Sequence, residues 1–144
     1  MREILFRGKR INNGEWVEGC LVHRSMFYGE PCDNYFILCD GEFHCDYYNA
    51  SEVIPETIGQ YTGLTDKNGK KIFEGDICTD EFRTLLVRYD FFQWNCKVIE
   101  TTGLIKGLEF PLWHWDRYPQ NGCRQLEVIG NIHDNPELLK ESEQ

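Results

Sequence analysis

The stretch Tyr61–Asp76, YTGLTDKNGKKIFEGD, decides how the chain reads, because its parts return near the N-terminus in Phe6–Gly19, FRGKRINNGEWVEG. Phe6 falls on Tyr61, Gly8 on Gly63, and Asn13-Gly14 on Asn68-Gly69 at a constant offset of 55. After one extra residue, Trp16-Val17-Glu18-Gly19 meets Ile72-Phe73-Glu74-Gly75. Asn-Gly between apolar runs is the strongest short-range hairpin signal, since a type I′ turn needs positive φ at both central residues. Each copy therefore predicts a hairpin. Glu52-Val53-Ile54 recurs more faintly as Glu127-Val128-Ile129, and Ile58-Gly59-Gln60-Tyr61 resembles Ile129-Gly130-Asn131-Ile132.

Outward from the two hairpins, the pattern stays strand-like. Glu15–Val22 returns from the first turn with Trp16 and Val17 as its bulk, and Asn34–Asp40 is an apolar run ending in an Asp40-Gly41 turn. Glu42–Tyr48 alternates as the returning strand, and Pro55 ends the strand at Glu52-Val53-Ile54 because it lacks the amide a central ladder requires. Past the second hairpin, Ile77–Asp80 continues, Leu85, Val87 and Tyr89 stand at period 2, and Gln93–Ile99 follows a link at Asp90-Phe91-Phe92. Residues 100–124, interrupted by two prolines and three glycines yet carrying Trp113 and Trp115, predict a loop held by aromatic burial. Leu126–Ile132 is a last strand. Asn135-Pro136-Glu137 then has the grammar of a helix start, a capping side chain followed by proline at the first helical position, and Glu141–Gln144 reads as its frayed end.

Many short strands punctuated by glycine turns predict a mainly β fold: a small SH3-like, partly open barrel with extra N-terminal β-hairpins and one short C-terminal helix. A mixed sheet with one packed helix is the alternative. At 144 residues the chain fits a single domain, with a soft internal boundary near 55–60 between an N-terminal hairpin region (1–56) and a barrel-like region with the helix (57–144). A formal charge of −9 argues against generic polyanion binding, whose affinity comes from neutralising phosphates. Residues 25–60 carry seven carboxylates and no Lys or Arg. MREILFRGKR is no secretory signal and no window is apolar enough to span a bilayer, so the expected location is the cytoplasm, without membrane attachment. Seven scattered cysteines without a CxxC pair then read as free thiols.

Three stretches, FRGKRINNGEWVEG, EVIPETIGQYTGLTDKNGKKIFEGDI and VIGNIHDNPELL, occur in an order that resembles the YopX-like proteins of phages and prophages of low-GC and gut bacteria. Residues 24–50 and 100–124 carry none of those motifs. The resemblance implies a β-rich, cytoplasmic, prophage-encoded protein. It brings no catalytic residue, cofactor or substrate, because the family has no established biochemical activity.

Candidate sites are weighed against plainer readings. Cys32, Cys39, His44 and Cys45 lack the close pairing that brings two thiolates to one zinc ion, so buried thiols are favoured and no metal or cofactor is expected. A cysteine could meet His23, His114 or His133 in space, but seven cysteines make such coincidences common. Glu74 and Asp76 flank Gly75 as a carboxylate pair whose plainer job is binding loop amides. Lys9 and Arg10 in the first hairpin, with Lys67, Lys70 and Lys71 in the second, stand near Phe6, Trp16, Tyr61 and Phe73, the cation and aromatic mixture that holds single-stranded nucleic acid. Their plainer role is edge protection. Finally, Trp113, Trp115, Arg117 and Tyr118 lie in the long loop; in an extended segment the two tryptophans share a face and could anchor a protein partner. The functional expectation is a non-enzymatic interaction or assembly module whose partner is a phage- or host-encoded protein, with self-association also possible. The binding surface is expected on the 100–124 loop and the acidic 25–48 segment. The alternative is a small-barrel nucleic-acid binder.

Overall fold

Alternation around Asn13-Gly14 and Asn68-Gly69 becomes a set of antiparallel strands in the computed structural model, which describes residues 3–39, 50–90, 92–101, 106–115 and 126–140. The chain divides into two units, Met1–Tyr61 and Thr62–Gln144. The expected turn at Asp40-Gly41, the strand Glu42–Tyr48 and the tail Glu141–Gln144 lie outside the described residues, as do Cys45, His44 and Cys123.

In the first unit, β1 (Phe6–Lys9) pairs with β2 (Trp16–Phe27), which pairs with β3 (Glu30–Cys39), which pairs with β4 (Ala50–Glu52). On the other side of β1, Phe6 and Arg7 meet Gln60 and Gly59 at the start of β5 (Gly59–Thr65). Period-2 alternation turns Val17, Ile37 and Val53 into a small core, with Leu21, Tyr35, Cys39 and Ile58 packed against it. Gly19 is required by close approach, since a Cβ there would lie 1.8 Å from the Leu38 carbonyl oxygen. Pro55 opens a single 3₁₀ turn, Pro55–Thr57, which Thr57 ties to the sheet: its hydroxyl donates to Ile54 O and accepts from Lys9 N.

In the second unit, β5 runs on beside β6 (Lys71–Phe73), and Thr62 Oγ1 donates to Ile72 O at 2.8 Å. A five-stranded sheet follows, ordered β10-β9-β8-β7-β11, from β7 (Asp76–Thr79), β8 (Arg83–Asp90), β9 (Gln93–Thr101), β10 (Glu109–Pro111) and β11 (Glu127–Asn131). Its core gathers Ile72, Cys78, Leu85, Val87, Cys96, Val98, Leu112, Trp115 and Leu126. Buried carboxylates stitch the loops to it. Asp66 accepts from Asn68 N and Lys70 N inside its own hairpin and from Val128 N on β11. Asp76 accepts from Phe73 N across the turn at Gly75, the loop-amide role read for that carboxylate. One helical turn, α1 (Glu137–Lys140), follows β11. The Asn135 side chain turns back to accept from Asn131 N, while its carbonyl accepts from Leu138 N.

The protein is thus mainly β with one short C-terminal helix among the described residues, and its two antiparallel sheets are not closed into a barrel. The Asn-Gly turns need one correction. Gly14 (φ 72) and Gly69 (φ 80) are left-handed as expected, but Asn13 and Asn68 are not, so neither turn is type I′. Gly69 N donates to Asp66 O and Asp66 N to Lys70 O, a type I turn followed by a left-handed glycine; the first loop, closed by Arg10 N to Glu15 O, is one residue longer. The copies also diverge afterwards: Gly19 lies inside a long strand, whereas Gly75 (φ 90) turns the chain.

Candidate functional site

The features that stand out lie at strand turns. β1 pairs with β2 only over Trp16–Gly19, and β4 pairs with β3 only over Phe36–Leu38. Beyond them, Cys20–Phe27 and Glu30–Asn34 run on as a two-stranded ribbon among the described residues. Its turn is Tyr28-Gly29, with φ of 49° and 81°, the two positive values a type I′ turn demands. Asparagine or glycine suits the first of these positions, and a bulky residue there is strained by on the order of 1 kcal/mol. For the backbone a tyrosine is the poorer choice, although its ring packs edge-to-face on Phe27 with centroids 4.4 Å apart. Yet the Tyr28 ring stands 91% exposed, beside Phe27 and Met26, both about half exposed.

Both faces of the ribbon's stem are braced. On one, the Arg24 guanidinium lies 4.4 Å from the Phe27 ring centroid and 5.0 Å from that of Phe36, and donates to Asn34 Oδ1; Asn34 Nδ2 donates to Glu52 Oε1 at 2.7 Å. On the other, His23 stacks on Tyr35 and lies 2.6 Å from Asp33. The apolar side chains of the tip are therefore presented at the end of a stem braced on both faces.

A second tip occurs in the other unit. Between β8 and β9, Phe92 has φ 63° and is 95% exposed, and Tyr89 and Trp94 form an edge-to-face pair with centroids 5.0 Å apart. The sequence placed a link at Asp90-Phe91-Phe92, and Asp90 pairs with Gln93 across it; what the sequence reading missed is the exposed aromatic rings at both tips. Tyr-Gly between two long apolar-containing runs was available as a signal, since glycine supplies one of the two left-handed residues, but Phe91-Phe92 offers none.

The long loop places its tryptophans differently from an extended segment. Leu112–His114 is a 3₁₀ turn after β10, so Trp113 and Trp115 do not share a face. Trp113 is 58% exposed, while Trp115 is buried in the core and donates its Nε1 hydrogen to Asp80 Oδ2 at 3.4 Å. Trp115 is thus a core residue and Trp113 alone of the pair can meet a partner. Arg117, Tyr118 and Arg124 lie outside the described residues. Asp80 itself organises the β7–β8 loop, accepting from Phe82 N, Arg83 N and the Arg83 guanidinium. Burial pushes its carboxyl pKa up, but the hydrogen bonds and charge of Arg83, with the Phe82 amide, outweigh this and leave it below the ordinary aspartate value.

The cations near the hairpins have local work. Lys9 lies over the Trp16 ring, with Arg7 on the same ring at 4.7 Å. Arg10 pairs with Glu15 and donates to Ser51, and Lys67 pairs with Glu127. Lys70 is exposed and Lys71 half-buried. Cys32 lies against Arg24 O, Cys39 against the small core, and Cys78 and Cys96 inside the larger one; among the described residues no His, Cys, Asp and Glu group could hold a metal ion. Of the histidines, His23 is engaged by Asp33 and Tyr35, and His114 by Phe110 and Trp115. No described helix is long and apolar enough to cross a membrane.

Fold and surface together define a mainly β protein, its sheets not closed into a barrel, that displays aromatic side chains at strained turns. A family model described as YopX protein matches residues 5–140, and the chain belongs to that family. No curated protein matches the chain. The crystal structure of protein EF1440 from Enterococcus faecalis is similar with a TM-score of 0.55 at 23% identity, covering 96% of this chain and 99% of the other, a likeness of fold alone.

Proposed function

We propose that this is a non-enzymatic, prophage-encoded interaction module of the cytoplasm, whose partner is another protein of phage or host origin. The observation that carries the reading is Tyr28, held at φ 49° and 91% exposed at the end of a braced ribbon. Strain at a position where the fold would be better served by asparagine is a mark of function, and exposed aromatic anchors dominate protein interfaces. The Met26-Phe27-Tyr28 tip is flanked on β3 by Glu30 and Asp33, so a partner with an apolar pocket and a basic rim fits it. Affinity capture from host cells after prophage induction, read by mass spectrometry, tests this. A partner enriched by the wild type should be lost with Tyr28→Asn while circular dichroism stays unchanged; an identical set of captured proteins for wild type, Tyr28→Asn and Phe92→Gly rejects the reading.

A further inference from the structure

We propose that the outer edge of β2, Cys20–Phe27, pairs antiparallel with the same edge of a second copy of this chain about a twofold axis. The ribbon has two edges, and they are treated differently. Along β3 the edge carries Pro31, which has no amide to offer, the charged side chains Glu30 and Asp33, and a bulge, since Arg24 pairs with Asn34 but Met26 with Pro31, leaving an extra residue on β3. These are the devices that keep a further strand away. β2 has none of them. Its segment CLVHRSMF is regular, free of proline and carboxylates, and rich in strand-forming residues, and beyond Gly19 it has no strand on its outer side among the described residues.

Charge selects the occupant. Two copies of a chain with formal charge −9 repel one another, so a contact between them costs least where carboxylates are missing. Cys20–Phe27 has a single Arg24 and no Asp or Glu. A register that sets Arg24 of one copy opposite Val22 of the other puts His23 on the twofold axis, pairs Cys20–Met26 and keeps the two guanidinium groups out of direct opposition, and a twofold antiparallel edge contact is self-complementary by construction. An edge of eight residues buries less than the roughly 1,200 Å² of a standard interface, so the dimer is weak and concentration-dependent. The inference goes beyond the partner reading above; the tip and the strand edge share Met26 and Phe27, and Tyr28, which belongs to the tip alone, is the position that separates the two in the test.

Sedimentation velocity over a dilution series, joined to amide hydrogen exchange at both ends of the series, tests it. The wild type should rise from 17.0 kDa toward twice that mass, with exchange slowed at high concentration within Cys20–Phe27. Met26→Lys, at a half-exposed side chain, and Ser25→Pro should lower the association at least tenfold, and Tyr28→Asn should leave it intact. Loss of the dimer in either edge variant with circular dichroism unchanged supports the pairing; if Ser25→Pro unfolds the ribbon, Met26→Lys decides alone. A wild type of monomer mass throughout, a dimer that survives in every folded edge variant, or protection confined to other segments overturns it. Loss of the dimer in Tyr28→Asn would move the contact to the tip and also overturn the edge assignment.

Discussion

At the scale of single residues, glycines and one aspartate show how differently similar-looking positions are constrained. Gly69 has open space where a Cβ would go, so its requirement is the positive φ alone. Gly69→Val should cost at least about 1 kcal/mol by backbone strain, read as a lowered urea midpoint at unchanged slope. Asp80 is held by four kinds of donor, and Asp80→Asn leaves the mostly buried Arg83 guanidinium without its counter-charge, a loss of about 2–4 kcal/mol at neutral pH. The sign of the pH effect follows from the lowered pKa: the Asp80 contribution is complete above the unfolded value of about 3.9 and is lost as pH falls through the lower folded value. The stability gap between wild type and Asp80→Asn should therefore be flat from neutral pH down to that range and narrow below it; a gap that widens on acidification contradicts the assignment.

At the scale of elements, a single 3₁₀ turn separates two tryptophans that sequence spacing put together. Trp115→Ala should destabilise by about 3–5 kcal/mol, because it empties core volume and removes an indole donor from Asp80, whereas Trp113→Ala should fall within about 0.5 kcal/mol of wild type. Thermal unfolding of the two variants side by side checks the split. The β2–β3 turn gives an opposite sign. Tyr28→Asn places a residue that tolerates the left-handed region where a tyrosine is strained, and should raise stability by about 0.5–1 kcal/mol. A drop instead would mean that the ring supports the fold.

At the scale of the whole molecule, the balance of charge and the chemistry of the thiols make the tests. Lys9, Arg10 and Lys67 are engaged by Trp16, Glu15 and Glu127 within a chain of formal charge −9. Fluorescence anisotropy with a labelled single-stranded oligonucleotide should show no salt-sensitive binding; affinity that falls steeply with added salt would restore the nucleic-acid alternative. Thiol titration after denaturation without reductant should return all seven cysteines as thiols.

The strands were legible because their signals are local. Leu85 and Val87 at period 2, glycine after asparagine at the hairpin loops, and Pro136 ahead of the helical turn act through φ preference and side-chain alternation, which a short window already contains. The sequence by itself thus determined a mainly β chain with left-handed Gly14 and Gly69. Tertiary structure decided the rest. It made the second loop type I where Asn-Gly favoured type I′, because Asp66 draws its hairpin amides and Val128 N onto one buried carboxylate. It left both sheets open, buried Trp115 and exposed Trp113, and set aromatic rings at Tyr28 and Phe92 in solvent. Such outcomes depend on which distant strand ends beside which, and the two edges of one ribbon are left without neighbours only because β1 and β4 stop short of its tip.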